Sequence, residues 1–377
     1  MKFSDIPGHE DVKERLRNMA DEERIPHALL LHGPAGTGKH ALVRAFLQYV
    51  GCRNRQNGDS CGSCPSCLQH EAMQHIDTIF SFPYIKKKSS SNSSPTYSSD
   101  YLREFIEFAQ SSPFMDSTLW LEKLGSPTTQ PVIYVEEATE LTRRLSFAPN
   151  ISRYNAVVIW QADKLNEAAA NKLLKIIEEP PGEAIIVLTT DQPMNILPTI
   201  YSRTQRIKVS PLKDNEVAEW MCEHCDVDKD TAASLAPMAR GSITNALQIV
   251  MSRDDSKRYL DFFISLMRLA YMRDIASLKE WSQKVAAEKR DSVIGFLEYM
   301  ARMIRENFVA NLGTPALNLM NTEEATFSRN FARFINERNA SQLYDAVSVA
   351  ISDVRANVNA KVVLFDLAIT VILLLKQ

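Results

Sequence analysis

A chain of 377 residues exceeds what one ordinary hydrophobic core accommodates, so two or three domains are expected. Hydrophobic residues make up 45% and charged residues 24%, as in globular proteins, and a net charge of -3 excludes a strongly basic nucleic-acid-binding surface across the whole chain. The opening MKFSDIPGHED has no apolar h-region, so no signal peptide is expected. Six cysteines, four of them clustered, point to metal binding in the reducing cytoplasm rather than a disulfide scaffold.

Residues 10 to 24 mix charge and apolar positions at helical spacing. HALLLHGPAGTGKHALVRAFLQYV then reads as a short apolar strand, a glycine-bearing loop and a helix to about Val50. The loop nearly matches G-x-x-x-x-G-K-[ST]. Gly33, Gly36 and Gly38 would let backbone N–H groups turn toward phosphate oxygens, and the following helix would present its positive N-terminal end. Lys39 would reach the β- and γ-phosphates. His40, however, stands where the motif has a hydroxyl for Mg²⁺, and an imidazole is a poor ligand for that hard ion.

Cys52, Cys61, Cys64 and Cys67 follow with the spacing C-x8-C-x2-C-x2-C, which predicts a closed tetrahedral site for a structural Zn²⁺. Lys86 to Ser99 is poor in apolar residues and reads as a mobile surface segment. An amphipathic stretch runs from Tyr101 to Gln110. NAVVIW and AIIVLTT are buried strands, separated by a helix in EAAANKLLKIIEEPP that the proline pair ends near Glu179. Strands alternating with helices predict an α/β parallel sheet for about the first 210 residues. Beyond Pro211 almost only helical periodicity remains. The late run VVLFDLAITVILLL, interrupted by Asp366, reads as a buried helix. Cys222 and Cys225 read as ordinary thiols.

A nucleotide hydrolase of this architecture needs a metal-holding carboxylate at the end of a buried strand, often followed by a glutamate base. In VVIWQADKL those places hold Trp160 and Gln161. Asp163 follows closely, but reads as part of the turn opening the next helix.

Taken together, FSDIPGHEDVKERL, RIPHALLLHGPAGTGK, the cysteine spacing, RYNAVVIWQADKLNEAAANKLLKIIEEPP, LPTIYSRTQRIKV, GSITNALQI and RANVNAKVVLFDL resemble the bacterial DNA polymerase III clamp-loader subunits of the AAA+ superfamily. Within that gamma, tau and delta-prime family, the delta-prime members are most similar. The resemblance implies α/β plus all-α architecture. Residues 1–210 would form an AAA+ α/β domain with a zinc module at about 52–67 and an insertion at about 78–130. A helical lid would follow at 211–252 and a helical collar at 253–377.

The resemblance further implies that Trp160 and Gln161 occupy the places of the family's metal aspartate and glutamate. Thr244 stands at the position of a sensor arginine, and Thr204 replaces the cysteine of a Ser-Arg-Cys segment. Arg203 is retained, and the family uses this residue as an arginine finger on a neighbouring subunit's ATP. Arg206 serves as its control. The implied function is a non-hydrolysing clamp-loader subunit, working with gamma/tau-like and delta-like partners to load a sliding clamp on primer–template DNA. Any ATP at Gly33, Gly36, Gly38 and Lys39 would then be vestigial or structural. The alternative is an active gamma/tau-like ATPase, or another AAA+ motor, with a metal site rebuilt around Asp163. A zinc-bearing DNA-binding protein is a third reading, weakened by the acidity of the chain and its lack of a basic–aromatic stripe.

Overall fold

The computed structural model describes residues 1–86, 96–125, 129–251, 253–313 and 317–375. The centre of the serine-rich segment, 87–95, which the sequence marks as mobile, lies outside the described residues. The chain forms two compact units, Met1–Leu247 and Gln248–Gln377.

The first unit is built on a five-stranded sheet of order β2–β3–β4–β1–β5, with every pairing parallel. Its strands are β1 (Ala28–His32), β2 (Thr78–Ser81), β3 (Asn155–Ile159), β4 (Ala184–Thr190) and β5 (Gln205–Lys208). The three inner strands are continuous apolar runs because helices cover both faces of a parallel sheet. Helix α1 (Glu10–Asp21) precedes β1, and α2 (Lys39–Gly51) follows the glycine loop. Helices α3 (Pro65–Glu71), α4 (Leu102–Ser111), α5 (Ser117–Lys123) and α6 (Val135–Leu145) fall between α2 and β3. Next come α7 (Glu167–Glu178) and α8 (Pro198–Arg203), on either side of β4. After Pro211 the chain is helical, as the periodicity predicts. Here α9 (Asp214–His224), α10 (Lys229–Ala239) and the start of α11 (Ile243–Met251) belong to the first unit.

The segment 78–130, expected to be an insertion, divides into two parts. Its opening residues are β2, an edge strand whose Phe80 registers against Val158. Its helices α4 and α5 carry Phe105, Phe108 and Trp120 into one aromatic cluster with Phe82 and Trp160. Phe82 and Phe105 stack at 3.8 Å between centroids, and the Trp120 indole N–H donates to Pro83 O at 2.8 Å. Buried Glu137 of α6 accepts from the backbone N–H of Ser98 at 2.9 Å, tying the segment down.

Among its described residues the second unit is all helical: α12 (Arg253–Met272), α13 (Ile275–Ala286), α14 (Arg290–Asn311), α15 (Thr322–Phe331), α16 (Ala340–Arg355) and α17 (Ala360–Leu374). Phe263, Leu266, Phe296, Met300, Leu343 and Leu364 lie at the centre of its core. The apolar run near the C-terminus is α17, a buried helix as expected, and no described helix is long and apolar enough to cross a membrane.

Trp120 is fully buried and packed among four other aromatic rings. Trp120→Ala is therefore expected to cost roughly 3–5 kcal/mol, on the scale of deleting a core aromatic. Urea unfolding followed by far-ultraviolet circular dichroism measures it. A loss within the range of surface substitutions would show that the segment is not part of the core.

Candidate functional site

The glycine loop leaves the carboxyl end of β1, the place where parallel α/β sheets bind ligands. Gly33 permits a close approach: a Cβ there would stand 1.9 Å from Val209 O. Gly36 and Gly38 have φ of +71° and +92°, in the left-handed region that glycine adopts without strain. The space beside them is taken by the chain's own groups. A Cβ at Gly36 would meet Ser242 Oγ at 2.1 Å and Thr244 Oγ1 at 2.8 Å, and one at Gly38 would meet the Phe114 ring at 3.1 Å. The Thr244 hydroxyl donates to Phe114 O, and Ile243 N–H donates to Gly36 O at 2.9 Å. Helix α11 and the segment after α4 thus close on the loop.

Lys39 opens α2 and is only 6% exposed. Its ammonium has three N–H donors and meets three acceptors: Gly33 O at 2.9 Å, Pro34 O, and Asp191 Oδ1 at 2.7 Å. Burial lowers the Lys39 pKa and raises that of Asp191, while the charge of each opposes the other's shift. Asp191 follows β4 directly and escapes the sequence reading. The signal available was its place, one residue past a buried strand that neighbours β1.

His40 packs into an aromatic cage. Its ring lies 5.8 Å from Phe105, edge-on, and 6.1 Å from Phe80. Both ring nitrogens are buried without a hydrogen-bond partner among the described residues. Burial, then the charge of Arg44, lowers its pKa to about 3, so the imidazole is neutral at pH 7. Trp160 follows β3 with its indole 5.8 Å from the same Phe105 ring. Gln161 is buried in a left-handed turn with φ of 54°. Asp163 lies in the turn before α7, as expected, and accepts from Thr190 Oγ1 at 2.6 Å.

Arg203 ends α8, far along the chain from the loop. Its side chain is 42% exposed, ion-paired with Glu178 at the end of α7, and donates to Thr199 O at 3.2 Å. The Arg206 guanidinium covers the Tyr201 ring at 4.8 Å.

The four clustered cysteines converge: the Sγ atoms of Cys52, Cys61, Cys64 and Cys67 all lie within 4.8 Å of one another. A tetrahedral thiolate site with metal–sulfur bonds near 2.3 Å needs sulfurs about 3.8 Å apart. Cys61 and Cys67 are 3.9 Å apart. Backbone N–H groups of Cys61 and Cys64 point at Cys52 Sγ and Cys61 Sγ, at 3.3 and 3.4 Å, as they do toward thiolates. The set fits a soft tetrahedral ion. Among the described residues it is the one group of metal-ligating side chains close enough together, and Cys222 and Cys225 take no part in it. Asp59 anchors the module by accepting from Phe3 N–H at 3.2 Å and Ser4 N–H at 2.9 Å.

Strand order and loop position define an α/β domain of the phosphate-loop class. The chain belongs to the family described as DNA polymerase III, delta subunit, whose sequence model matches residues 8–213. Subunit tau of DNA polymerase III from Bacillus subtilis is 25% identical over 254 residues, covering 66% of this chain and 37% of that protein. Subunit delta' from Escherichia coli is 26% identical over 223 residues, covering 59% of this chain and 54% of that protein. The match thus spans between about a third and a half of those relatives' lengths. Among solved structures, a DNA polymerase III gamma subunit-related protein from Thermotoga maritima has a TM-score of 0.42 at 16% identity, covering 96% of this chain and 99% of that one.

The unfolded chain protonates His40 near its ordinary 6.5 while the folded protein resists until about 3, so stability falls as pH drops through that interval. His40→Leu is expected to flatten part of this fall and to stabilise the protein by about 1 kcal/mol at pH 7, since two unsatisfied buried nitrogens are removed. Melting temperatures from pH 7 to 4 measure both effects, and a parallel fall in the two proteins would contradict them. At the cysteines, metal-free protein titrated with Co²⁺ is expected to bind one equivalent with tetrahedral d–d absorption, and Cys61→Ser/Cys64→Ser is expected to abolish the band.

Proposed function

We propose that this chain is a non-hydrolysing subunit of a replicative clamp loader, whose Arg203 acts on ATP held by a neighbouring subunit. The observation that carries the reading is the aromatic filling beside the loop. Phe105 packs against His40 and Trp160, the two positions where hydrolysis needs a hydroxyl and a carboxylate around Mg²⁺. Lys39, with its three donors engaged, supports the same reading. Gly33, Gly36, Gly38 and Lys39 are then an inherited shape.

Family membership and the relatives' names support a place among the subunits of a DNA polymerase III. In this reading the chain assembles in the cytoplasm with gamma/tau-like and delta-like subunits, and the assembly acts on a sliding clamp and primed DNA. Residues 1–210 serve as the AAA+ domain, 211–252 as its lid and 253–377 as the collar, and Zn²⁺ is the ion of the four cysteines. Arg203 suits a role in trans because an exposed ion pair is worth only about 0–1 kcal/mol, so Glu178 gives it up easily to a phosphate. The guanidinium would neutralise charge developing on the transferred phosphoryl group.

ATP turnover by the purified, Zn²⁺-loaded chain with excess Mg²⁺ tests the first half of the proposal. No turnover is expected, and His40→Ser is expected to restore none while losing roughly 2–4 kcal/mol of stability to the cavity it opens. Steady turnover abolished by Lys39→Ala would instead establish an active ATPase. In the reconstituted assembly, Arg203→Ala is expected to lower ATPase at the dependent site by about 10³-fold. Glu178→Gln should leave it nearly unchanged. Equal, small effects of both substitutions would reduce Arg203 to a local surface pair.

A further inference from the structure

The second unit carries a groove of about 370 Å³ between the end of α12, helix α15, the turn Ala332–Phe334 and the end of α17. Its floor is apolar and buried, formed by Met267, Phe331 and Leu375. Phe327 stacks on Phe331 at 5.0 Å, and Tyr271 meets Phe334 at 5.2 Å. Its mouth stays apolar as well: Met272 is 65% exposed and Tyr271 52%. Long, polarizable methionines beside aromatic rings make a surface that adapts to an inserted side chain.

The charge on the rim has one sign. Arg268 and Arg333 both line the groove and are exposed, and the Arg333 guanidinium lies 5.0 Å from the Phe334 ring centroid. The ion pairs of this unit lie elsewhere, from Lys257–Glu323 to Arg355–Glu298, and among the described residues none engages Arg268 or Arg333. An apolar slot flanked by two planar cations complements a large apolar side chain with carboxylates beside it. A basic segment would meet repulsion at both rims. Single-stranded nucleic acid would need a longer basic track and open stacking faces, whereas the Phe331 face is buried.

We propose that this groove docks a partner protein through a short segment in which a large apolar residue is flanked by acidic ones. The groove lies wholly within the second unit, so its occupancy is independent of the role of Arg203.

The test uses the full chain and three fluorescein-labelled hexapeptides, EDFLDE, KKFLKK and EDAADE, read by fluorescence anisotropy. EDFLDE is expected to bind at least about tenfold more tightly than either control, since one lacks the charge and the other the anchor. The double variant Arg268→Glu/Arg333→Glu is expected to reverse the preference between EDFLDE and KKFLKK. Met272→Gln, at an exposed position, is expected to weaken EDFLDE binding several-fold with an unchanged melting temperature. Equal affinity for the three peptides, or EDFLDE binding unaffected by the double charge reversal, would overturn the proposal. So would tighter binding of a labelled thymidine oligonucleotide, or sedimentation showing the groove occupied by a second copy of the chain.

Discussion

One buried ammonium organises the loop end of the first unit. Lys39 is almost wholly removed from water, and a charge in that position costs several kcal/mol unless each of its donors is met. The chain meets them by folding the loop back on β1 and bringing Asp191 in from the end of β4. A carboxylate therefore stands next to the cation, and any anion drawn to Lys39 competes with a partner already in contact. The closeness of Gly33 to Val209 and of Gly36 to Ser242 belongs to the same closure.

Arg44 extends this arrangement away from the loop. Buried in α2 one turn beyond His40, it donates to Ala109 O at the end of α4 and to Glu71 O at the end of α3. One guanidinium thereby links the aromatic segment to the cysteine module. Burial lowers even this side chain, to about 10, a measure of how little water reaches it. Ordering the cysteines by a metal would help hold α3, and through Arg44 the floor on which His40 rests.

The central strands were legible because burial on both faces leaves only apolar residues, and β1, β3 and β4 have that composition. Edge strands carry a weaker signal. β5 reads QRIK, with charges facing water along an unpaired edge, and β2 was absorbed into an apparent insertion. The cysteine spacing was readable because ligand geometry imposes it locally. Asp191 was not, since its meaning comes from the strand it follows standing beside β1 in space. The same holds for the Arg203–Glu178 pair, which joins the ends of two helices separated by β4, and for the groove of the second unit, assembled from three helix ends and a turn.

The shared contact of Phe105 with His40 and Trp160 also constrains descent. Placing a hydroxyl and a carboxylate for Mg²⁺ at these two positions would remove side chains that support one another as core. Either substitution alone would open a cavity in this packing without supplying the other metal ligand. Packing of this kind works as a ratchet, because each further aromatic contact made around it raises the cost of changing either residue alone.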